Sequence, residues 1–232
     1  MISQYSRPRD IDREFWEDYP KAVYWLNKNI DRRKEKDKIF DDSWDVLNFS
    51  RDYSFSAPVF YESPQTGNKW MLWVTTTRRN DGIHFYTRAV LYHMTAAYMT
   101  MMMPMVIQST NKDGEVRYEM QGINVYTAHL FQRMAQKDRL GVDMSDRYNV
   151  MRNFSEFVAT GWSDTRPPRD GERHTQILFR TPGSWLRGHT VFIKEHHVTI
   201  YRTFYTDKSM SYKQLKDVRS FKKFADAKMN NK

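Results

Sequence analysis

The sequence predicts an α+β protein, and three observations predict it. An apolar stripe at helical spacing runs through the first thirty or so residues. A long middle region follows, in which β-branched and aromatic runs are separated by turn signals. The second half then opens with two helical patterns, returns to strand-like runs and closes on a basic amphipathic stretch. The expected architecture is an N-terminal helix, one or more antiparallel sheets, a central helix pair, a C-terminal three-stranded antiparallel sheet and a terminal basic amphipathic helix. Residues 1–125 and 126–232 are the expected divisions, with one continuous domain as the alternative.

Residues 1–8 read as a short arm and residues 10–38 as helix. In that helix Phe15, Tyr19, Val23, Leu26 and Ile30 repeat on one face, and Pro20 suits a kink or the first turn of a second segment. Its tail, "DRRKEKDK", mixes signs as a solvated face does. Residues 40–54 carry no period. "APVFYES" (57–63) and "KWMLWVTTTRR" (69–79) flank "PQTGN", a hairpin loop by its proline and glycine. "IHFYTRAVLYHM" (83–94) and the methionine-rich stretch to Ile107 read as two further strands, and "NKDG" (111–114) turns the chain into a strand at 115–125.

The longest apolar run, "AVLYHMTAAYMTMMMPMVI" (89–107), approaches the roughly 20 residues of a membrane span. His93, Pro104 and the interspersed threonines and tyrosines interrupt it, so two buried strands with methionine as adaptable filler are expected instead.

"YTAHLFQRMAQKDRL" (126–140) reads as a helix with Thr127 as N-cap and Gly141 as stop, and residues 145–159 as a second, capped by Ser145. "GWSDTRPPRDGE" (161–172) reads as a loop, and strands are expected at 173–181, 189–195 and 197–206. The last helix, 211–228, opens with a capping box of Ser211 and Gln214. Its apolar side is Tyr212, Leu215, Val218, Phe221 and Ala225, and its basic side is Lys213, Lys216, Arg219, Lys222, Lys223 and Lys228.

Composition limits the functions available. The 232 residues are 40% hydrophobic and 15% aromatic, outside the disordered class and long enough to bury a core. With no cysteine, the chain has no disulfide, thiolate nucleophile or cysteine-ligated metal centre. Its opening, "MISQYSRPRDIDREFWEDYP", is charged throughout, with none of the apolar character of a signal peptide, and a cytoplasmic location is expected. The net charge of +9 favours a polyanionic partner, RNA, DNA or an acidic protein, provided the positive charge clusters. A protein partner is also open, and no membrane is expected. There is no phosphate-binding glycine loop, no G-x-S-x-G elbow and no Asp…Glu-x-Lys arrangement of metal-dependent nucleases, so no cofactor or metal is expected.

Candidate site residues fall in three places. His129 and Arg133 share a helical face at i and i+4, able to supply a general base and a cation for phosphoryl chemistry, or simply a half-buried histidine with arginine at its rim. In "IKEHHVTIYRTFYT" (193–206), Val198, Ile200 and Phe204 are expected on one face. His197, Thr199, Tyr201, Thr203 and Tyr205 then fall on the other, as a stacking and hydrogen-bonding surface or as the wet side of a sheet. His196 and His197 point to opposite faces, so a metal would need His174 or His189 as well, and a solvated turn is the expectation for His196. Arg202, among apolar neighbours, lies at an edge or reaches an anion. Lys213, Lys216, Arg219, Lys222 and Lys223, with Arg180 and Arg202, are the expected phosphate contacts.

"TAHLFQRMAQKDRLGVDMSDRYNVMRNF" followed by "RHTQILFR" and "TVFIKEHHVTIYRTFY" resembles the small toxin-type, metal-free ribonucleases of the barnase–EndoU–colicin–RelE group, in which a His-x-x-x-Arg helix precedes a second helix and a small antiparallel sheet. The resemblance covers residues 126–206, about a third of the chain, and leaves the preceding 125 residues without counterpart. It implies metal-independent RNA cleavage, or an inactive nucleic-acid-binding descendant, and the matching positions are His129, Arg133 and the strand around Tyr201. In an enzyme of that kind His129 or His197 is expected as base or acid, Arg133, Arg180 and Arg202 as phosphate-stabilising cations, and Tyr201 as the group that orients the substrate. The rivals are a non-enzymatic structural or interaction protein of a virus or mobile element such as a phage, and a sequestering inhibitor, which would show an exposed apolar or aromatic patch in place of a basic groove.

Overall fold

The computed structural model describes residues 1–3, 5–29, 53–79, 82–95, 98–110, 116–135, 146–159, 161–169, 171–181 and 183–230. These form the mixed α+β structure expected, with mostly antiparallel strands. The chain divides into two compact units, Met1–Ile2 with Arg13–His93, and Ser3–Asp12 with Met94–Lys232. Strands β5 and β6 therefore belong with the C-terminal half. Among the described residues no helix is long and apolar enough to cross a membrane.

Helix α1 (Pro8–Asn29) contributes its length from Arg13 onward to the first unit, with strands β1 (Tyr53–Phe55), β2 (Val59–Glu62), β3 (Lys69–Arg79) and β4 (Gly82–Met94). The helix expected to residue 38 is described only to Asn29, and residues 30–52 lie outside the described set. Strand β3 is the centre of this unit: β4 pairs along one edge, and β1 and β2 share the other. Trp70, Met71, Leu72, Trp73 and Val74 are buried in succession, as in a strand covered on both faces.

The buried line on α1 is Ile11, Phe15, Asp18, Ala22 and Leu26, rotated from the expected stripe so that Tyr19 and Val23 are only half-buried. The reason is Asp18. Its carboxylate, fully buried, accepts from the Ser63 hydroxyl (2.8 Å), the Asn68 amide (2.8 Å) and the Thr66 hydroxyl. All three donors stand in the hairpin loop between β2 and β3, so one acid fastens the helix to that turn. Asn68 returns its own oxygen to the backbone N–H of Ile2 (2.8 Å). Phe15, Tyr19 and Trp70 pack their rings around this anchor.

The second unit is built on β5 (Met99–Thr110), β6 (Val116–Tyr126), β7 (Trp162–Arg166), β8 (Thr175–Thr181), β9 (Ser184–Ile193) and β10 (His196–Thr206), in the order β5-β6-β10-β9-β8-β7. The C-terminal block has four antiparallel strands where three were expected. The segment read as a loop, 161–172, supplies the fourth, Trp162–Arg166, which pairs residue by residue with Gln176 to Arg180 of β8. The β6–β10 pair is parallel: the chain leaves β6 through two helices, α2 (Ala128–Ala135) and α3 (Arg147–Ala159), enters the sheet at β7 and returns through β8 and β9 to β10.

Two caps differ from expectation. The Thr127 hydroxyl donates to the Tyr201 carbonyl (3.0 Å) and so ties α2 to β10, and α3 is capped by Asp146, which accepts from the Asn149 N–H (3.1 Å). Gly141 and Ser145 lie outside the described residues. The capping box of the last helix, α4 (Tyr212–Asn230), is present: Ser211 N–H donates to Gln214 Oε1 (2.8 Å), and Gln214 N–H faces the Ser211 hydroxyl (3.4 Å).

Removing the Asp18 carboxylate takes the acceptor from two buried loop donors, Ser63 and Asn68, and from half-buried Thr66. Asp18→Ala is expected to lower unfolding stability by about 3 kcal/mol, with Asp18→Asn losing less, as read from urea denaturation. An unchanged midpoint in Asp18→Ala would contradict the anchoring role.

Candidate nucleic-acid interface

Strand β10 is flanked by β6 and β9, and both partners place a glycine against it. A Cβ on Gly122 would come within 2.2 Å of the His197 carbonyl oxygen, and one on Gly188 within 2.3 Å of that of Ile200. Pairing with β9 is regular to Tyr201↔Gly188 and resumes at Thr203↔Arg187, so Arg202 is the extra residue of a β-bulge. The bulge exchanges the two faces. His197, Thr199, Tyr201 and Phe204 share one face, and Val198, Ile200, Thr203 and Tyr205 share the other. Phe204 therefore does not lie with Val198 and Ile200 as simple alternation predicts.

The first of these faces is covered rather than wet. Tyr201 is 1% exposed and stacks on Tyr126 (centroids 5.2 Å, planes 9° apart), which meets Phe154 of α3 edge-on, and Phe179 closes on Tyr201 at 6.0 Å. Burial pushes its phenol pKa well above the ordinary value. Tyr201 is a core residue, where a wet, substrate-facing position was expected. Thr199 is buried and exchanges a 2.9 Å hydrogen bond with Thr190.

The other candidate catalytic residues stand in different surroundings. His129 and Arg133 are exposed on α2, which begins at the Tyr126–Tyr201 end of the parallel pair. His197 is four residues back along β10, about 13 Å of strand from that end. It is half-buried, with Nε2 3.0 Å from the Met105 sulfur, and desolvation, reinforced by the neighbouring His196, lowers its pKa. His196 is half-exposed and pairs with Asp12 at 3.4 Å, so the expected solvated turn holds a contact to the start of α1. His174 and His189 stack at 5.3 Å. Desolvation, with Arg202, His174 and Arg187 nearby, drops the His189 pKa to about 4 and leaves it neutral at pH 7. Among the described residues no group of three or more acids and histidines could hold a metal ion.

What the second face assembles is different. Register places Trp162, Arg180, Trp185 and Tyr205 side by side on β7, β8, β9 and β10. The Arg180 guanidinium lies 5.0 Å from the Trp162 ring centre and 4.8 Å from that of Trp185, one cation shared by two indoles. Trp185 is fixed by donating to Asp207 (2.6 Å), while Trp162 is 54% exposed and Arg180 is exposed. Of these four, Arg180 and Tyr205 were singled out from sequence. Trp162 was missed because its segment was assigned to a loop, although Trp162 itself and Thr165 are strand-favouring residues and were a usable signal.

Deeper on the same face stands an ion cluster. Arg166, 4% exposed, grips Glu172 through both terminal nitrogens (2.6 and 2.9 Å). Asp217 of α4 accepts from Arg187 Nε (2.8 Å) and lies 3.5 Å from Arg166, and Arg187 also donates to Gln176 (2.7 Å). The Phe221 ring is 5.0 Å from both guanidinium carbons. These contacts fix the rotation of α4: Asp217 and Phe221 face the sheet. Tyr212 (80% exposed) and Leu215, expected on its apolar side, are outside. Lys213, Lys216, Arg219, Lys222 and Lys223 are all exposed, and none has a carboxylate partner among the described residues. Arg202, turned out by the bulge, is exposed as well.

The chain matches no protein-family model, and comparison with curated proteins and with solved structures finds no relative.

The hydrogen bonds from Arg166, assisted by the Arg169 N–H and the two arginine charges, lower the Glu172 pKa to about 2 from an ordinary 4.5. A depressed carboxylate contributes stability that is complete above pH 4.5 and is lost as pH falls toward 2. Glu172→Gln is expected to be less stable at neutral pH and to show a flatter fall in Tm across that window. Parallel Tm–pH curves for the two proteins would contradict the assignment.

Proposed function

We propose that this is a nucleic-acid-binding protein acting in a cytoplasm, and that it binds without cleaving. The observation that carries the reading is α4. Its outer arc presents Lys213, Lys216, Arg219, Lys222 and Lys223 without carboxylate partners among the described residues, while its inner side is fixed by Asp217 and Phe221. Mixed-sign surfaces neutralise themselves, whereas an arc of one sign releases counterions when it meets phosphates, and that release drives association. Exposed Arg180 and Arg202 add positive charge on the sheet that α4 covers. The chain's +9 excess is thus concentrated in part where a polyanion could lie.

Binding rather than cleavage is favoured because general-base, cation and substrate-orienting groups must reach one reacting centre. Buried Tyr201, half-buried His197 and exposed His129 occupy separate environments. Cleavage of RNA in EDTA is therefore expected to be absent, and unaffected by His129→Ala.

The test is affinity for a labelled oligonucleotide as a function of salt. Each phosphate contact on a single strand contributes about 0.7 to the slope of log K against log salt. Replacing the five α4 cations by glutamine is expected to reduce that slope by up to about 3.5 and to weaken binding uniformly across sequences. An unchanged slope would overturn α4 as the phosphate-binding element.

A further inference from the structure

The geometry points to the Trp162–Arg180–Trp185 row as a stacking platform for unpaired nucleobases, which makes single-stranded RNA or DNA, not duplex, the substrate class of this surface. The inference rests on the nucleic-acid reading above and specifies it.

The row is built by register. Trp162↔Arg180 and Arg180↔Trp185 are direct cross-strand partners, so the three side chains stand on one face at successive strand spacings of about 4.8 Å. The Arg180 guanidinium occupies one π-face of each indole, and it has no carboxylate partner among the described residues. Its donors are thus held in place by aromatic contact while remaining unneutralised. Trp162 stands on β7, the last strand in the order, and is 54% exposed. A large rigid indole on an outermost strand offers π-surface at little cost in side-chain entropy. Trp185 cannot swing away, since its N–H is held by Asp207.

Charge selects the occupant. Two residues along β9 from Trp185 is Arg187, which binds Asp217, so the basic helix is anchored about 7 Å of strand from the row. A strand whose phosphates follow α4 has its bases within reach of the indoles. Only unpaired bases expose π-faces to a side chain, because a duplex buries them in its own stack. An apolar protein partner would gain nothing from the unneutralised Arg180 or the cations beside it.

The experiment measures fluorescence anisotropy of labelled single-stranded DNA, single-stranded RNA and duplex DNA of one mixed sequence, with the full chain and with Trp162→Ala, Trp162→Phe and Arg180→Ala. Trp162 is exposed, so its variants are expected to fold, as circular dichroism would verify. The expected result is tighter binding of either single strand than of duplex. Trp162→Ala is expected to lose about tenfold in single-strand affinity at unchanged salt slope, with partial recovery in Trp162→Phe. Salt-sensitive binding with no preference for single strands, or with Trp162→Ala equal to the unaltered chain, would overturn the platform and leave the α4 reading standing. Absence of salt-sensitive binding to all three probes would overturn both.

Discussion

One inserted residue, Arg202, decides what each face of the C-terminal sheet contains. Without the bulge, strict alternation would carry Thr203 and Tyr205 onto the same side as Tyr201, under the crossover helices. With it, Phe204 takes that buried place, and Tyr205 passes to the opposite face beside Trp185. The bulge also turns the Arg202 side chain outward, which accounts for a guanidinium in a strand that is largely buried. The two close glycine contacts, Gly122 and Gly188, hold β6 and β9 tightly against this strand, so the exchange of faces takes place in a sheet whose register has little slack.

The second constraint is the ion cluster of Arg166, Glu172, Arg187 and Asp217. Arg166 is nearly fully buried, and such a charge persists only where opposite charges and hydrogen bonds replace its water. Both acids come from outside the strands: Glu172 from the connection to β8, and Asp217 from the last helix. Folding the strands thus recruits the loop and the helix. The Phe221 ring near both guanidiniums makes the docking specific to one rotation of α4, and that rotation turns the lysines outward. A charged core on one side of a helix and unneutralised charge on the other are two consequences of the same contact.

Much of the fold was legible because it is written in local periodicity. The α+β class, the positions of β3, β4 and β6, the helix pair and the Ser211–Gln214 capping box all follow from short-range patterns. What escaped is non-local. The buried side of α1 follows Asp18, whose three partners are 45 to 50 residues away. The bulge at Arg202 has no composition signature, and it inverted the facing of Thr203, Phe204 and Tyr205. For the site, the lysines of α4 and Arg180 were visible as charge. The indoles that flank Arg180 were not, since their adjacency depends on the register of three strands. His129 and Arg133 were legible as chemistry and are exposed, while His197, equally legible, is half-buried for a reason that depends on β6 and Met105 of β5.

The central claim is that the aromatic row and the basic helix form one surface. Photo-crosslinking of a single-stranded oligonucleotide to the full chain, followed by peptide mapping, tests it most directly. The account predicts crosslinked peptides containing Trp162 or Trp185 together with peptides from 211–223 on the same strand. Crosslinks confined to α2 around His129 and Arg133, with none on β7, β9 or α4, would contradict it.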